Sequence, residues 1–432
     1  MPIEHQITME KCCIFMIQTI NMNKLLLFSF LFFSQLGNAQ LEIDVLSYNV
    51  LNYPNGGADR IDTLKKILSY YTPDLMLLQE LKSDAGLQSI TGALSDISPV
   101  NYASGTWVDQ QSNPSSSWKL QQNIIYNTQM FSLAEERVVL TNYRDINYFK
   151  LYLNDINLGA TGDTIFLHVY VTHLKSSQGA TNEQIRYDMA QTMRSDIESL
   201  PANSYVLCGG DFNLYTSTEL AYQHLIDNTV NNYLEDPINM PGNWHDSGFP
   251  NKEILTQSTR LNSLSDGAGG GLDDRFDFVL QSEALGLGNQ KLSYVDGSYK
   301  ALGNNGTCYN QDLLNCTSIG NVPDSIISAL YYGSDHLPVV FTLQSDAVLS
   351  FTDKEWSDLI IYPNPTNSEL NLKSSSNELL QFELTDLSGK LIFTGEFLET
   401  KSLKISNLKA GIYLISIFKD NALIKHEKVV RL

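Results

Sequence analysis

Polar residues that could carry out acid–base or metal chemistry stand at the ends of apolar segments of this sequence. Five such groups occur: Ser47-Tyr48-Asn49, Gln79-Glu80, Thr172-His173, Gly209-Gly210-Asp211-Phe212-Asn213 and Ser334-Asp335-His336. Each residue alone has an ordinary explanation, such as a turn-forming asparagine or a hydrogen-bonded core histidine. Together the groups supply three carboxylates, two asparagines and two imidazoles, and Asp277 lies in a further acidic motif, Asp273 to Phe278. The recurrence at strand ends predicts one shared site.

These residue types suit the hydrolysis of a phosphate ester. A phosphodiester is anionic, so a catalyst must neutralise a non-bridging oxygen, orient a water molecule in line and stabilise the leaving oxygen. Glu80 is the strongest candidate ligand for a divalent ion, since Mg²⁺ binds one or two carboxylates together with water and phosphate oxygens. Asp211 would orient or deprotonate the attacking water, and Asn213 would donate hydrogen bonds to water or phosphate.

Two histidines complete the predicted catalytic set. His336, oriented by the carboxylate of Asp277, would protonate or hydrogen-bond the phosphoryl group, and His173 would do so from another side. Lys82 and Lys175, each two residues beyond a predicted site residue, are candidate phosphate contacts, although a solvated lysine is an equally good reading of either. Arg186, which lies in a predicted helix, would either face the substrate or pair with Glu183 nearby.

Apolar runs alternate with helical periodicity between residues 41 and 345, which predicts an α/β domain with a substantial core. The predicted strands are Ile43 to Asn49, Asp74 to Gln79, Ile124 to Tyr126, Tyr148 to Leu153, Ile165 to Thr172, Tyr205 to Cys208, Arg275 to Leu280 and Val339 to Leu343. Helices are predicted over Arg60 to Tyr70 and Glu183 to Leu200. Residues 214–272 and 296–325 lack clear periodicity and are predicted to be long loops.

The order of these motifs resembles the endonuclease/exonuclease/phosphatase superfamily over roughly residues 41–345, most specifically in Gly-Asp-Phe-Asn and Ser-Asp-His. The resemblance implies a four-layer α/β/β/α sandwich of two packed mixed sheets, with the site at one edge. It also implies that Asn49 and Asp335 complete the Mg²⁺ site at Glu80, with Mn²⁺ or Ca²⁺ as alternatives. Deoxyribonuclease-like members pair the first histidine with a carboxylate, whereas Lys119 to Asn123 offer only amides and a lysine. The partner that orients His173 therefore stays open.

The C-terminal segment changes character after residue 356. Short alternating runs separated by turn signals predict a small all-β sandwich over residues 357–432. Tyr362-Pro363-Asn364-Pro365-Thr366, Gly411-Ile412-Tyr413-Leu414 and the ending Lys428 to Leu432 resemble the sorting domain of the type IX secretion system of Bacteroidetes. This resemblance implies that the secretion machinery is a partner of the segment, and it says nothing about the reaction.

The first 39 residues read as a start extension followed by a signal peptide. Lys24 precedes an apolar run from Leu25 to Phe33, and small residues end at Ala39, as signal peptidase requires. Because this run is too short to span a bilayer, we expect no stable membrane span in the mature chain. The expected organisation is 1–39 leader, 40–345 catalytic domain, 346–356 linker and 357–432 sorting domain, in a monomer that is secreted or held at the cell surface.

Cysteine placement agrees with export from the cytoplasm. Cys308 and Cys316 lie eight residues apart in a polar loop, so they could form a disulfide in an oxidising compartment or remain two free thiols. The spacing alone leaves both alternatives open.

Net charge bears on the choice of substrate. The chain carries 28 Lys+Arg against 48 Asp+Glu, a net charge of −20, and residues 40–356 hold 17 of these bases and 37 of the acids. Such a domain repels polyanions unless cations intervene. The leading hypothesis is a secreted endonuclease that cleaves DNA or RNA. The alternatives are a phosphatase or phospholipase C-type enzyme acting on small or lipid phosphates, and a non-catalytic surface binding protein.

Overall fold

A computed structural model describes residues 40–54, 60–116, 119–155, 164–288, 291–316, 322–347, 359–374, 378–386, 390–419 and 422–432. The predicted leader and most of the predicted linker lie outside these ranges.

The first sheet contains seven strands, and it carries Asn49 and Glu80. Its strands are β1 (Leu41–Tyr53), β2 (Leu75–Leu81), β3 (Tyr102–Ser104), β4 (Gln121–Asn127), β11 (Leu292–Tyr294), β12 (Lys300–Ala301) and β13 (Val339–Ser345). Their order is β11-β13-β1-β2-β4-β3, with β12 also paired to β13. Because β1 and β2 are parallel whereas β2 and β4 are antiparallel, this sheet is mixed.

The second sheet contains six strands in the order β5-β6-β7-β8-β10-β9. They are β5 (Phe131–Val139), β6 (Ile146–Leu153), β7 (Phe166–His173), β8 (Tyr205–Asp211), β9 (Leu234–Glu235) and β10 (Asp277–Ser282). Strands β7 and β8 are parallel, and β8 and β10 are antiparallel, so the second sheet is also mixed.

Helices cover one face of each sheet. They are α1 (Ile61–Tyr70), α2 (Asp84–Ile97), α3 (Ala180–Glu198), α4 (Leu220–Leu225), α5 (Glu283–Gly286) and α6 (Asp324–Gly333). Buried residues of α1, α2 and α6 share one apolar cluster with β1, β2 and β4. Buried residues of α3 and α4 share another cluster with β7, β8 and β10. The predicted four-layer α/β/β/α sandwich is therefore confirmed.

Two glycines of β8 show how closely the strands approach each other. A Cβ at Gly209 would lie 2.4 Å from Leu77 Cδ2 of the first sheet, so any side chain there would separate the packed sheets. Gly210 has a φ of 152°, and its Cβ would lie 1.9 Å from the carbonyl oxygen of Thr172 in the neighbouring strand. Glycine is the residue that fits both positions directly before Asp211.

The C-terminal segment folds into two further antiparallel sheets. One contains β14 (Ile360–Tyr362), β15 (Glu369–Lys373) and β18 (Thr400–Lys404), and the other contains β16 (Leu380–Asp386), β17 (Leu391–Phe397), β19 (Gly411–Lys419) and β20 (Ala422–Arg431). Leu370 and Leu372 of the first share one buried cluster with Phe382 and Ile415 of the second. The predicted small all-β sandwich is thus confirmed.

Cys308 and Cys316 form a disulfide, with their Cα atoms 5.3 Å apart. The spacing left open a disulfide or two free thiols, and the structure contains the disulfide. Among the described residues, no helix is both long and apolar enough to cross a membrane.

Candidate active site

Strand register brings the predicted site residues of the second sheet side by side. His173 at the end of β7 pairs with Asp211 at the end of β8, because the two strands run parallel. Asp211 also pairs with Asp277, the first residue of the antiparallel strand β10. Three residues far apart in sequence therefore meet on neighbouring strands at one edge of the sheet.

Asp211 is the centre of the site. Its Oδ2 accepts a hydrogen bond from Asn49 Nδ2 at 3.1 Å, and lies 3.4 Å from His173 Nε2 and 3.7 Å from His336 Nε2. Its Oδ1 accepts the backbone N–H of Asn213 at 3.0 Å. Burial, together with the nearby carboxylates, raises the pKa of Asp211 to about 7. At that value the carboxyl can exchange a proton near neutral pH.

Glu80 sits at an irregularity of the first sheet. The pairing of β2 with both neighbours shifts register beside it, and Glu80 has a φ of 61°, a left-handed conformation that residues other than glycine rarely adopt. Such strain is found mostly at functional sites. Asn49 Nδ2 donates to Glu80 Oε1 at 3.1 Å, and the backbone N–H of Asn52 donates to Oε2 at 3.0 Å. Burial, followed by the charge of Asp335, raises the pKa of Glu80.

His336 forms an Asp–His pair with Asp277. The His336 Nδ1 and Asp277 Oδ2 atoms are 2.7 Å apart, and both side chains are buried. Burial lowers the pKa of this imidazole, but the charges of Asp277 and Asp211 outweigh it and raise the pKa well above 6.5. The Asp277 carboxylate therefore sets the orientation of the ring, and nearby negative charge stabilises its protonated form.

His173 has a different environment. Its Nδ1 is buried with no hydrogen-bond partner among the described residues, and burial followed by the charge of Arg144 lowers its pKa well below 6.5. Gln121 of β4 donates to Asp145, and Asn123 donates to a backbone carbonyl. Both amides therefore donate to groups other than His173. Within the described residues, no carboxylate takes the orienting position at Nδ1.

Asp335 is held by backbone and amide donors. Its Oδ2 accepts the N–H of Ala268 at 2.7 Å and Gln257 Nε2 at 3.2 Å, whereas its buried Oδ1 has no partner among the described residues. The Gln257 amide also lies 2.7 Å from His336 Nε2. Gln257 thus connects the imidazole to the carboxylate of the preceding residue.

The residues present fit a divalent cation. Glu80, His173 and Asp211 each offer a ligand atom, and these atoms lie within 4.8 Å of one another. Burial raises the pKa of both carboxyl groups, so their ionised forms lack sufficient positive charge nearby. A divalent cation would supply that charge. The resemblance also assigns Asn49 and Asp335 to the metal: Asn49 donates to both Glu80 and Asp211, and the charge of Asp335 acts on Glu80.

The three candidate phosphate contacts lie in different environments. Lys82 directly follows β2 and is partly buried. Lys175 donates to the Ser176 carbonyl at 2.7 Å, and burial lowers its pKa, followed by the charges of Arg144 and Arg186. Arg186 is fully buried.

Arg186 has a structural role that replaces its predicted contact with substrate. Its Nε donates to Glu219 at 2.8 Å, and its Nη1 donates to the carbonyls of Lys175 and Ser177 at 2.9 Å each. Arg186 therefore holds the loop that follows His173. The buried guanidinium pairs with the buried Glu219 instead of Glu183, which is exposed. A buried charge needs such a close partner of opposite sign.

Sequence reasoning missed two residues of the site, Arg144 and Gln257. Arg144 is buried, donates to the Leu174 carbonyl at 2.7 Å, and its charge acts on Glu80, Asp211 and His173. Arg144 lies just before β6, and Gln257 lies in a segment predicted to be an aperiodic loop. Neither has a flanking motif, although Arg144 lies a few residues before the strand predicted over Tyr148 to Leu153.

Several solved structures are similar to this chain. A humanized D. rerio TDP2 is 16% identical with a TM-score of 0.44, covering 70% of this chain and 98% of its own. An endonuclease/exonuclease/phosphatase from Beutenbergia cavernae is 13% identical with a TM-score of 0.44, covering 90% and 99%. A family protein of that description from Bacteroides thetaiotaomicron is 15% identical with a TM-score of 0.44, covering 71% and 99%. Similarities this low carry no argument about activity.

Residues 360–431 match the family model described as "Secretion system C-terminal sorting domain". This match confirms the sorting domain and indicates that the protein is secreted or displayed at the cell surface. It covers a sixth of the chain and lies outside the candidate site. No curated protein sequence matches the chain.

Proposed function

We propose that this protein is an exported, divalent-metal-dependent phosphodiesterase that cleaves nucleic acid. The observation that carries the proposal is the position of Asp211, which lies 3.4 Å from one imidazole and 3.7 Å from another and shares the Asn49 amide with Glu80. A carboxyl whose pKa is raised to about 7, an imidazole whose pKa is raised and another whose pKa is lowered provide the proton donors and acceptors for hydrolysis.

Each side chain has a distinct role in the proposed reaction. Asp211 accepts a proton from the attacking water, and the backbone turn at Asn213 fixes its Oδ1. His336 donates its Nε2 proton to the leaving oxygen as the bond between that oxygen and phosphorus breaks, with Asp277 keeping the ring in place. His173 contacts the phosphoryl group as a neutral imidazole. Glu80, supported by Asn49 and Asp335, would hold Mg²⁺, which when bound would act as a Lewis acid on a phosphoryl oxygen.

The proposal predicts dependence on a divalent metal. Cleavage of plasmid DNA or RNA by residues 40–432 should require Mg²⁺, fall at least about 100-fold with chelator and return when Mg²⁺ is restored. Glu80→Gln should raise the Mg²⁺ concentration needed for half-maximal activity about tenfold, because it removes a ligand charge. Glu198→Gln, at a surface pair with Arg194, is the matched control.

Three outcomes would contradict parts of this proposal. Cleavage that persists in chelator rules out the metal requirement. Metal-dependent hydrolysis of p-nitrophenyl phosphate or sphingomyelin, with DNA and RNA left intact, would favour the phosphatase or phospholipase C alternative. No hydrolysis of any phosphoester would favour the non-catalytic binding protein.

A further inference from the structure

A second Asp–His pair lies close to the first one. His245 Nδ1 is 2.7 Å from Asp274 Oδ1, three residues before Asp277, and 4.0 Å from Asp273 Oδ2. The backbone of Gln257 pairs with both Asp274 and His336, so a single residue separates the two pairs. The His245 ring is 43% exposed, whereas His336 is buried. The proposed reaction leaves His245 unused.

His245 lines a cavity of about 410 Å³ between the loops that follow β7 and β8. These strands end in His173 and Asp211, so the cavity opens at the same sheet edge as the candidate active site. The volume falls within the roughly 300–1,000 Å³ of known small-ligand sites. Burial, followed by charges that include those of Asp274 and Asp211, raises the pKa of Tyr215, which lines the cavity, so the cavity is within electrostatic reach of the Asp211 carboxylate.

The chemistry of the lining identifies the kind of group that fits. None of the lining residues is aliphatic, and the hydrogen-bonding members include Gln178, Thr216, Thr218 and Asn243. An acyl chain would gain little from such a wall, because binding of apolar groups depends on apolar surface being removed from water. Sugar hydroxyls and base amides can be matched by these donors and acceptors.

Two other kinds of ligand, a second phosphate group and a quaternary ammonium, fit this cavity poorly. Glu183 and Glu219 both line it, so a second phosphate group would be repelled, although Glu219 is paired with Arg186. A quaternary ammonium needs an open aromatic face. The guanidinium of Arg186 lies 5.5 Å from the Tyr215 ring centre, and His245 and Phe276 pack edge-on against the same ring. That ring is already occupied.

We propose that this cavity, with His245 held by Asp274, is a subsite for the uncharged nucleoside that adjoins the scissile phosphate. This inference rests on the proposed phosphodiesterase function and extends it to substrate recognition. Asp274 accepts the Nδ1 hydrogen bond and fixes the ring, so that Nε2 is left for the sugar or base. His245 thereby determines specificity without taking part in the chemical step.

The test compares His245→Asn with wild type on two phosphodiesters, using residues 40–432 with Mg²⁺. For a thymidine dinucleotide, we expect KM to rise about tenfold and kcat to stay nearly unchanged. A tenfold change is the effect expected from the loss of one hydrogen bond. For bis(p-nitrophenyl) phosphate, which has no nucleoside, both constants should change less than twofold. The matched control is His224→Asn, since His224 also packs edge-on against a tyrosine, Tyr187.

A binding measurement separates failure of this inference from failure of the proposed function. Calorimetric titration with a non-hydrolysable dinucleoside methylphosphonate should show about tenfold weaker binding to His245→Asn than to wild type. Binding that weakens in His245→Asn, in a protein that cleaves no phosphoester, would support the subsite and refute the proposed enzymatic activity. Equal losses on both esters, equal binding by both proteins, or a loss selective for sphingomyelin would overturn the subsite.

Discussion

The two histidines beside Asp211 have the same burial and opposite surroundings. His336, on the β13 side, has a carboxylate at Nδ1, and its pKa is raised. His173, on the β7 side, has a buried Nδ1 without a partner among the described residues and Arg144 nearby, and its pKa is lowered. Because burial lowers the pKa of both imidazoles, the difference comes from neighbouring charges. The surroundings thus favour the protonated form of one imidazole and the neutral form of the other.

Removing the carboxylate that orients His336 should produce the largest effect. Asp277→Asn removes the charge that raises the pKa of His336 and the acceptor that orients its ring. We expect kcat to fall about 100- to 1,000-fold, the scale of lost general acid–base catalysis. The alkaline limb of the kcat–pH profile should move to lower pH, because the imidazolium then loses its proton earlier.

Asp196→Asn is a control for this change, since Asp196 is a hydrogen-bonded carboxylate that contacts Arg137 and Tyr170 away from the site. An alkaline limb that stays in place in Asp277→Asn would show that His336 does not act as the proton donor. Histidine NMR titration of His336 in both variants gives an independent reading of the same pKa.

Removing the positive charge beside His173 should have a smaller effect. Arg144→Met leaves His173 and Asp211 in place but removes the cation that lowers the pKa of each. The acid limb of the kcat–pH profile should therefore move to higher pH, because Asp211 gains its proton sooner. A rise of about one unit in the pKa of Asp211 would lower the ionised fraction of its carboxyl at pH 7, and with it kcat, about fivefold. An unmoved acid limb combined with a lower Tm would indicate that Arg144 only caps the Leu174 carbonyl.

The sequence predicted the central strands better than the helices and edge strands around them. All eight predicted strands exist within a few residues, because a long apolar run is a strong local signal. Two of the missed elements have physical causes: α2 contains two glycines within Asp84–Ile97, and β5 is an edge strand with three charged residues at its centre, Glu135 to Arg137. Weak apolar patterning hides such elements.

The same limit applies to the site. Glu80, Asp211 and His336 could be predicted because each is next to an apolar run and has a chemically useful side chain. Arg144 and Gln257 reach the site through long-range folding, which no local pattern records. Arg186 was placed on the correct helix, but the sequence could not reveal that Glu219, 33 residues later, would bind it.

A third buried histidine sharpens the comparison, because it has burial and cations without a carboxylate partner. His168 of β7 hydrogen-bonds Tyr148 through Nδ1 at 2.8 Å, and burial, followed by the charges of Lys150 and Arg137, lowers its pKa to about 4. The unfolded chain binds this proton near pH 6.5, so the stabilisation is complete above that pH and is lost as the pH falls toward 4. His168→Gln should remove this pH dependence.

The variant is expected to keep activity within about twofold of wild type at pH 7.5, because His168 lies on the helix-covered face of β7, away from Asp211. Between pH 7.5 and pH 5, wild type should lose about 2 kcal/mol more stability than His168→Gln, as the difference in proton affinity requires. Urea unfolding at the two pH values measures this loss. An equal loss in both proteins would show that burial does not lower the pKa of His168. The lowered pKa of His173 would then have to be explained by the charge of Arg144 alone.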